Sequence, residues 1–237
     1  MGKKFESLKS ELYDEISNVK SINQMPNNFI PDFLELVTMV NFMLIEDKDN
    51  FYGYFLLQMS REVKYDISSP TAVNFKSSKY VIYFNPYIFL NLSADQMKSS
   101  IKHEIYHILS FHLNRAKSLK KKYSTLSINL AMDIVVNQYI DYLPPYATTI
   151  NSINNKYGLN LQPYMSMEVY AQTIQDALNL LEDTDTSEED DSKDKHIEKE
   201  YDASKTHDLW EESIEADEET LKNFTQKFTT FAEKGKV

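Results

Sequence analysis

Ile101-Lys102-His103-Glu104-Ile105-Tyr106-His107-Ile108-Leu109 is the stretch around which this chain of 237 residues is organised. It reads His-Glu-x-x-His. On an α-helix, residues four apart project about 40° from each other, so His103 and His107 can share one metal ion while Glu104 lies beside them as a carboxylate base. The residues just before it predict that it is helical. Ser93-Ala94-Asp95-Gln96 matches a capping box, in which Ser93 accepts from the backbone of Gln96 and the Gln96 side chain reaches back. Met97, Ile101, Ile105, Ile108 and Leu109 then supply an apolar face. The helix is expected over 94–117, because Ser110 and Phe111 include neither glycine nor proline to stop it.

There is no cysteine, which removes disulfides, thiolate metal sites and cysteine nucleophiles together and leaves histidine and carboxylates as the strong metal ligands. A catalytic zinc takes three protein ligands and keeps one position open. His112 lies nine residues after His103, about 180° away on a continuous helix, so it joins the site only if the helix breaks. Asp133 is the better third ligand. It falls on a helix expected over 126–142, four residues before Asn137 on the same face, and two antiparallel helices can bring it opposite the histidine pair.

Working outward, Leu8, Leu12, Ile16 and Val19 recur at helical steps, and Phe33 to Ile45 forms a second, broader apolar helix with Pro31 in its first turn. Phe51 to Met59 reads as a short buried helix or a strand. After Arg61 the texture turns to β-branched and aromatic residues, with Val63 to Ile67 extended and a hairpin from Thr71–Phe75 and Tyr80–Phe84, closed by Asn85-Pro86. Pro144-Pro145 ends the Asp133 helix. Residues 146–165 read as an irregular connection, and Ser166 caps a further helix through Leu181. The expected fold class is α+β, a mainly helical zincin-like domain with a small antiparallel β-hairpin before the motif helix. Its boundaries are 1–181, comprising N-terminal helices over 1–60, the hairpin over 63–85, the motif helix and the Asp133 helix. An acidic disordered linker over 182–204 and a C-terminal helical segment over 205–237 follow.

Charge divides along the same line. Residues 1–180 carry 17 Lys/Arg and 17 Asp/Glu, and the remaining 8 and 19 give the net charge of −11. An acidic tail on a neutral body argues against nucleic-acid partners, whose binding depends on neutralising phosphates. Lys117, Lys120, Lys121 and Lys122, with Arg115, form one basic cluster, read as a solvated helix end or as a dock for the tail or a partner. No apolar run follows the basic N-terminus, so neither a signal peptide nor a membrane span is expected, and the plain localisation is cytoplasmic.

Several pieces in fixed order extend the motif. They are Tyr83-Phe84-Asn85-Pro86, then His103-Glu104-Ile105-Tyr106-His107 with His112 and Arg115, then Ala131-Met132-Asp133-Ile134-Val135-Val136-Asn137, and Met165-Ser166-Met167-Glu168-Val169-Tyr170. From Thr71 through Leu178 the chain resembles the metallopeptidase domain found in bacterial and phage proteins beside von Willebrand factor A-like domains and MoxR-type AAA ATPases. His207-Asp208-Leu209-Trp210 is similar to a weaker downstream motif. The resemblance implies zinc (Zn2+) on His103 and His107, Glu104 as catalytic base, functional Asp133 and Asn137, a protein or peptide substrate, and an AAA ATPase or A-like domain as partner. The sequence departs from that pattern at Phe111, where the family carries glycine. The function expected is zinc-dependent peptide-bond hydrolysis. The alternative is a non-catalytic, zinc-stabilised interaction module whose acidic tail engages a partner.

Overall fold

The computed structural model describes residues 2–48, 50–76 and 79–185. Its architecture is α+β, mainly helical with one small mixed sheet of three strands. The described chain divides into two compact units, one up to Ile105 and one from Tyr106 onward, so that the division falls inside the motif helix. The expected linker beyond Asp185 and the C-terminal segment with His207 and Trp210 lie outside the described residues.

The first unit begins with α1 (Gly2–Asn18), which buries Phe5, Leu12 and Ile16 on one stripe. After a 3₁₀ turn at Ile22–Gln24, α2 (Phe29–Glu46) packs its broad apolar face against α1 and against α3 (Asn50–Leu57). The short aromatic run after residue 50 is thus a helix rather than a strand. Gly53 is what lets α3 approach α2 closely. A Cβ there would stand 2.5 Å from Ile45 Cγ1 and 2.9 Å from the Ile45 backbone nitrogen.

β1 (Ser60–Val63) pairs in parallel with β3 (Lys79–Phe84), which pairs antiparallel with β2 (Thr71–Lys76) from Thr71 opposite Phe84 to Lys76 opposite Lys79. The hairpin is therefore where the sequence places it. The preceding strand runs earlier than the expected Val63–Ile67, because the chain bends away after Val63 into a loop that Asn85 ties down. The Asn85 amide donates to the carbonyls of Tyr65 at 3.1 Å and Ile67 at 2.7 Å, while its oxygen accepts from the Tyr87 backbone at 3.0 Å. That last bond caps the single turn α4 (Pro86–Phe89). α5 (Ala94–Leu109) then starts on the expected capping box. The Ser93 N–H donates to Gln96 Oε1 at 3.0 Å, and the Gln96 N–H donates to Ser93 Oγ at 3.2 Å.

In the second unit α6 (His112–Leu119) is a separate helix, so the expected single helix over 94–117 is corrected to two. α7 (Thr125–Asn137) is capped by Ser124 and ends five residues before the expected Tyr142. Residues 146–165 are not irregular throughout. Thr149 and Ser152 form a capping box that starts α8 (Ile150–Tyr157), and Gly158, with φ of 64°, stops it in the left-handed conformation that glycine favours. α9 (Met167–Asp185) packs against α7. Arg115 grips Glu168 in a two-pronged ion pair, Nε to Oε1 at 2.9 Å and Nη2 to Oε2 at 2.8 Å, and so links α6 to α9. Among the described residues no helix is long and apolar enough to cross a membrane.

Alanine is the better helix former, yet Gly53→Ala is expected to destabilise the protein by about 1–3 kcal/mol through overpacking against α2, read as a lower midpoint in urea. The Arg115 guanidinium, through its hydrogen bonds, holds the Glu168 carboxyl below its ordinary value of 4.5. A depressed carboxylate stabilises the fold in full above that value and loses its contribution as pH falls through the lower folded-state value. The pair is partly exposed, so Glu168→Gln should cost only about 0.5–1 kcal/mol at neutral pH, and the difference from wild type in thermal melting should vanish in acid.

Candidate metal centre

α5 sets the first two donors by helical spacing alone. Met97, Ile101, Ile105 and Ile108 are buried along it, which fixes the rotation of the helix about its own axis. His103 and His107 then project one turn apart from a different face, with His107 buried and His103 half-buried. Glu104 follows His103 directly and is also buried. The Thr71 hydroxyl stands 3.1 Å from Glu104 Oε1 and 3.2 Å from the Ser100 carbonyl. Its one proton serves either acceptor, so the first residue of β2 holds the carboxylate against the helix. The hairpin thus supplies a partner to the catalytic candidate, a contact that the sequence pattern does not reveal.

α5 stops because the backbone reverses at Phe111, whose φ of 54° and ψ of 33° are left-handed. A bulky residue there is strained by roughly 1–3 kcal/mol. Neighbouring groups stabilise the turn. The Phe111 N–H donates to the Ile108 carbonyl at 3.0 Å, the Phe111 carbonyl accepts from the N–H of Arg115 at 3.0 Å, and Arg115 Nη1 reaches the Ser110 carbonyl at 3.2 Å. Glycine would adopt this conformation without that strain, which fits the glycine that the resemblance implies at this position. One consequence is that His112, which a continuous helix would have turned away, comes back to His107. Their Nδ1 atoms are 2.8 Å apart and their rings meet edge to face.

Asp133 arrives from α7. That helix is buried almost all round, including Ile128, Leu130, Ala131, Met132, Ile134 and Val136, and Asp133 is as buried as they are. His107 Nε2 lies 3.5 Å from Asp133 Oδ1. Asn137, one turn on, donates to the Thr148 carbonyl at 2.7 Å and so anchors the loop after α7. Tyr139 is a further aromatic residue of this region. It lies just past the end of α7, is exposed, and stacks on Tyr106 with ring centroids 5.9 Å apart.

His103, His107 and Asp133 together form a group that can hold a metal ion, each offering one ligand atom, with all three atoms within 4.8 Å of one another. His112 is not in that group. The spacing fits. Two donors that each bind a tetrahedral zinc at 2.0–2.1 Å lie about 3.4 Å from each other, close to the His107–Asp133 distance, whereas a charge-assisted hydrogen bond would be nearer 2.7–2.9 Å. The donor chemistry fits as well, since two imidazoles and one carboxylate form a recurrent ligand set for a metal that keeps a position open.

Fold and donor set together define a helical α+β domain carrying three residues that can hold a metal ion, beside a buried carboxylate. The chain belongs to the family described as "Putative metallopeptidase domain", whose model matches residues 41–228. The match takes in β1 through α9 and every residue named in the group. Searches of the curated proteins and of the solved structures return no match.

If these three residues bind the ion, Asp133→Ala should weaken zinc binding by more than the 10–100-fold typical of losing an outer-shell partner. Competition against a chromophoric chelator measures this. An unchanged affinity would remove Asp133 from the ligand set.

Proposed function

We propose that the protein is a zinc-dependent metallopeptidase with His103, His107 and Asp133 as metal ligands and Glu104 as general base. The observation that carries this reading is Glu104. A group that merely tied helices together would have no use for a carboxylate buried beside its ligands, yet Glu104 is buried, adjacent to His103, and steadied by Thr71. The family to which the chain belongs supports a protein or peptide as substrate.

Zinc, when bound, supplies Lewis acidity for the scissile carbonyl and lowers the pKa of a water to about 7. The chain's own residues do the rest. Glu104 takes a proton from the attacking water and carries it to the leaving amine, so one carboxylate acts first as base and then as acid. Thr71 keeps it in one rotamer between the two transfers, because its hydroxyl can donate to Glu104 Oε1 from the start of a paired strand. Asp133 neutralises part of the ion's charge, which a buried site needs. On the resemblance to domains found beside AAA ATPases and A-like domains, a partner of that kind delivers the substrate.

The test compares wild type with Glu104→Gln for bound zinc and for hydrolysis of a broad peptide library. Both proteins should hold stoichiometric zinc, and the variant should lose about 10²–10⁴-fold in rate. Zinc held by both with no cleavage by either would favour the interaction module instead. Purified wild type without affinity for zinc would end both metal readings.

A further inference from the structure

We propose that His112 is a positioning residue for His107, accepting a hydrogen bond at its Nδ1 that fixes the His107 tautomer with its Nε2 lone pair turned toward Asp133. The inference rests on the reading of His103, His107 and Asp133 as a zinc site. It concerns a histidine outside the ligand group.

A neutral imidazole has one N–H and one lone pair. Two Nδ1 atoms 2.8 Å apart therefore need opposite roles, one donating and one accepting. If His107 Nδ1–H donates, His107 Nε2 carries a lone pair, and that atom is the one 3.5 Å from Asp133 Oδ1. A lone pair and a carboxylate at that separation suit a shared cation. If His112 donates instead, His107 carries its proton on Nε2, aimed at Asp133 over a distance long for a charge-assisted bond. The geometry favours the first arrangement. Ligating histidines commonly donate their other ring nitrogen to an acceptor that fixes ring and tautomer, and here the acceptor is a second, completely buried imidazole.

This arrangement depends on the break in the helix. Five residues along a continuous helix turn through about 140°, which would keep the two rings apart. The left-handed Phe111 brings His112 to the first turn of α6, behind His107. The strained residue and the buried histidine thus form one device.

Asparagine carries its Oδ1 at the same bond separation from Cα as histidine carries Nδ1, so His112→Asn keeps an acceptor where His112→Leu removes it and retains an apolar filling. Zinc affinity of the three proteins is measured by chelator competition, with 15N NMR of the imidazoles in zinc-loaded wild type. The leucine variant should bind zinc 10–100-fold more weakly, the asparagine variant should recover most of that loss, and His107 should show its proton on Nδ1. The NMR measurement needs no variant, so it decides the matter even if His112→Leu fails to fold. Unchanged affinity in His112→Leu, equal losses in both variants, or a His107 proton on Nε2 would each overturn the proposal. If zinc binding still depends on Asp133, the metal site stands and only the role of His112 falls. Absence of zinc binding in wild type overturns both.

Discussion

A carboxylate sits where the packing of α7 leaves it almost no water. Asp133 is flanked along its helix by Met132 and Ile134 and shares their burial. Taking an ionised carboxylate out of water costs several kcal/mol unless a cation or hydrogen-bond donors compensate it. His107 Nε2 faces it at 3.5 Å. A second imidazole, His103, offers a ligand atom within 4.8 Å of both. The polar residues on an otherwise apolar helix can then be read together. Asn137 secures the exit of α7, Ser127 and Ser124 secure its entrance through Gln175 of α9, and Asp133 between them answers to the histidines.

The break between α5 and α6 has the same logic. A left-handed phenylalanine is unfavourable on its own, and the energy comes from what the turn brings together. Arg115 donates to the Ser110 carbonyl just past the end of α5 and also holds Glu168 on α9. His112 is buried against His107, with Ala116 and Leu119 buried further along α6. Stability and site geometry are therefore coupled. Changes that relax the turn also move His112, which is in contact with His107.

Glu104 differs from Asp133 in its surroundings, and the difference bears on their proposed roles. Thr71 offers it a neutral hydroxyl that can also turn to the Ser100 carbonyl. A hydrogen bond of that kind steadies the side chain in one rotamer. Asp133 instead faces an imidazole nitrogen, His107 Nε2, at 3.5 Å, a separation that fits a shared metal ion. The two buried carboxylates thus differ in their neighbours, as the proposed roles of ligand and base require.

Much of this was legible in the sequence. The i,i+4 spacing of His103 and His107, the Ser93–Gln96 capping box, the hairpin before them and Asp133 on an apolar helix are local patterns, and local patterns follow from helix and strand periodicity. The capping box of α8 was equally local, in Thr149 and Ser152 with Gly158 after them. The break at Phe111 was hidden, because no local rule predicts a left-handed phenylalanine; its strain is offset by groups distant in sequence, such as Glu168. The pairing of His107 with His112 depends on that break, and the Thr71 bond to Glu104 depends on where β2 meets α5. Spacing along the chain determined which side chains could ligate a metal. Only the tertiary structure decided which of them meet, since burial and hydrogen bonding between distant segments, not periodicity, stabilise the turns that bring them together.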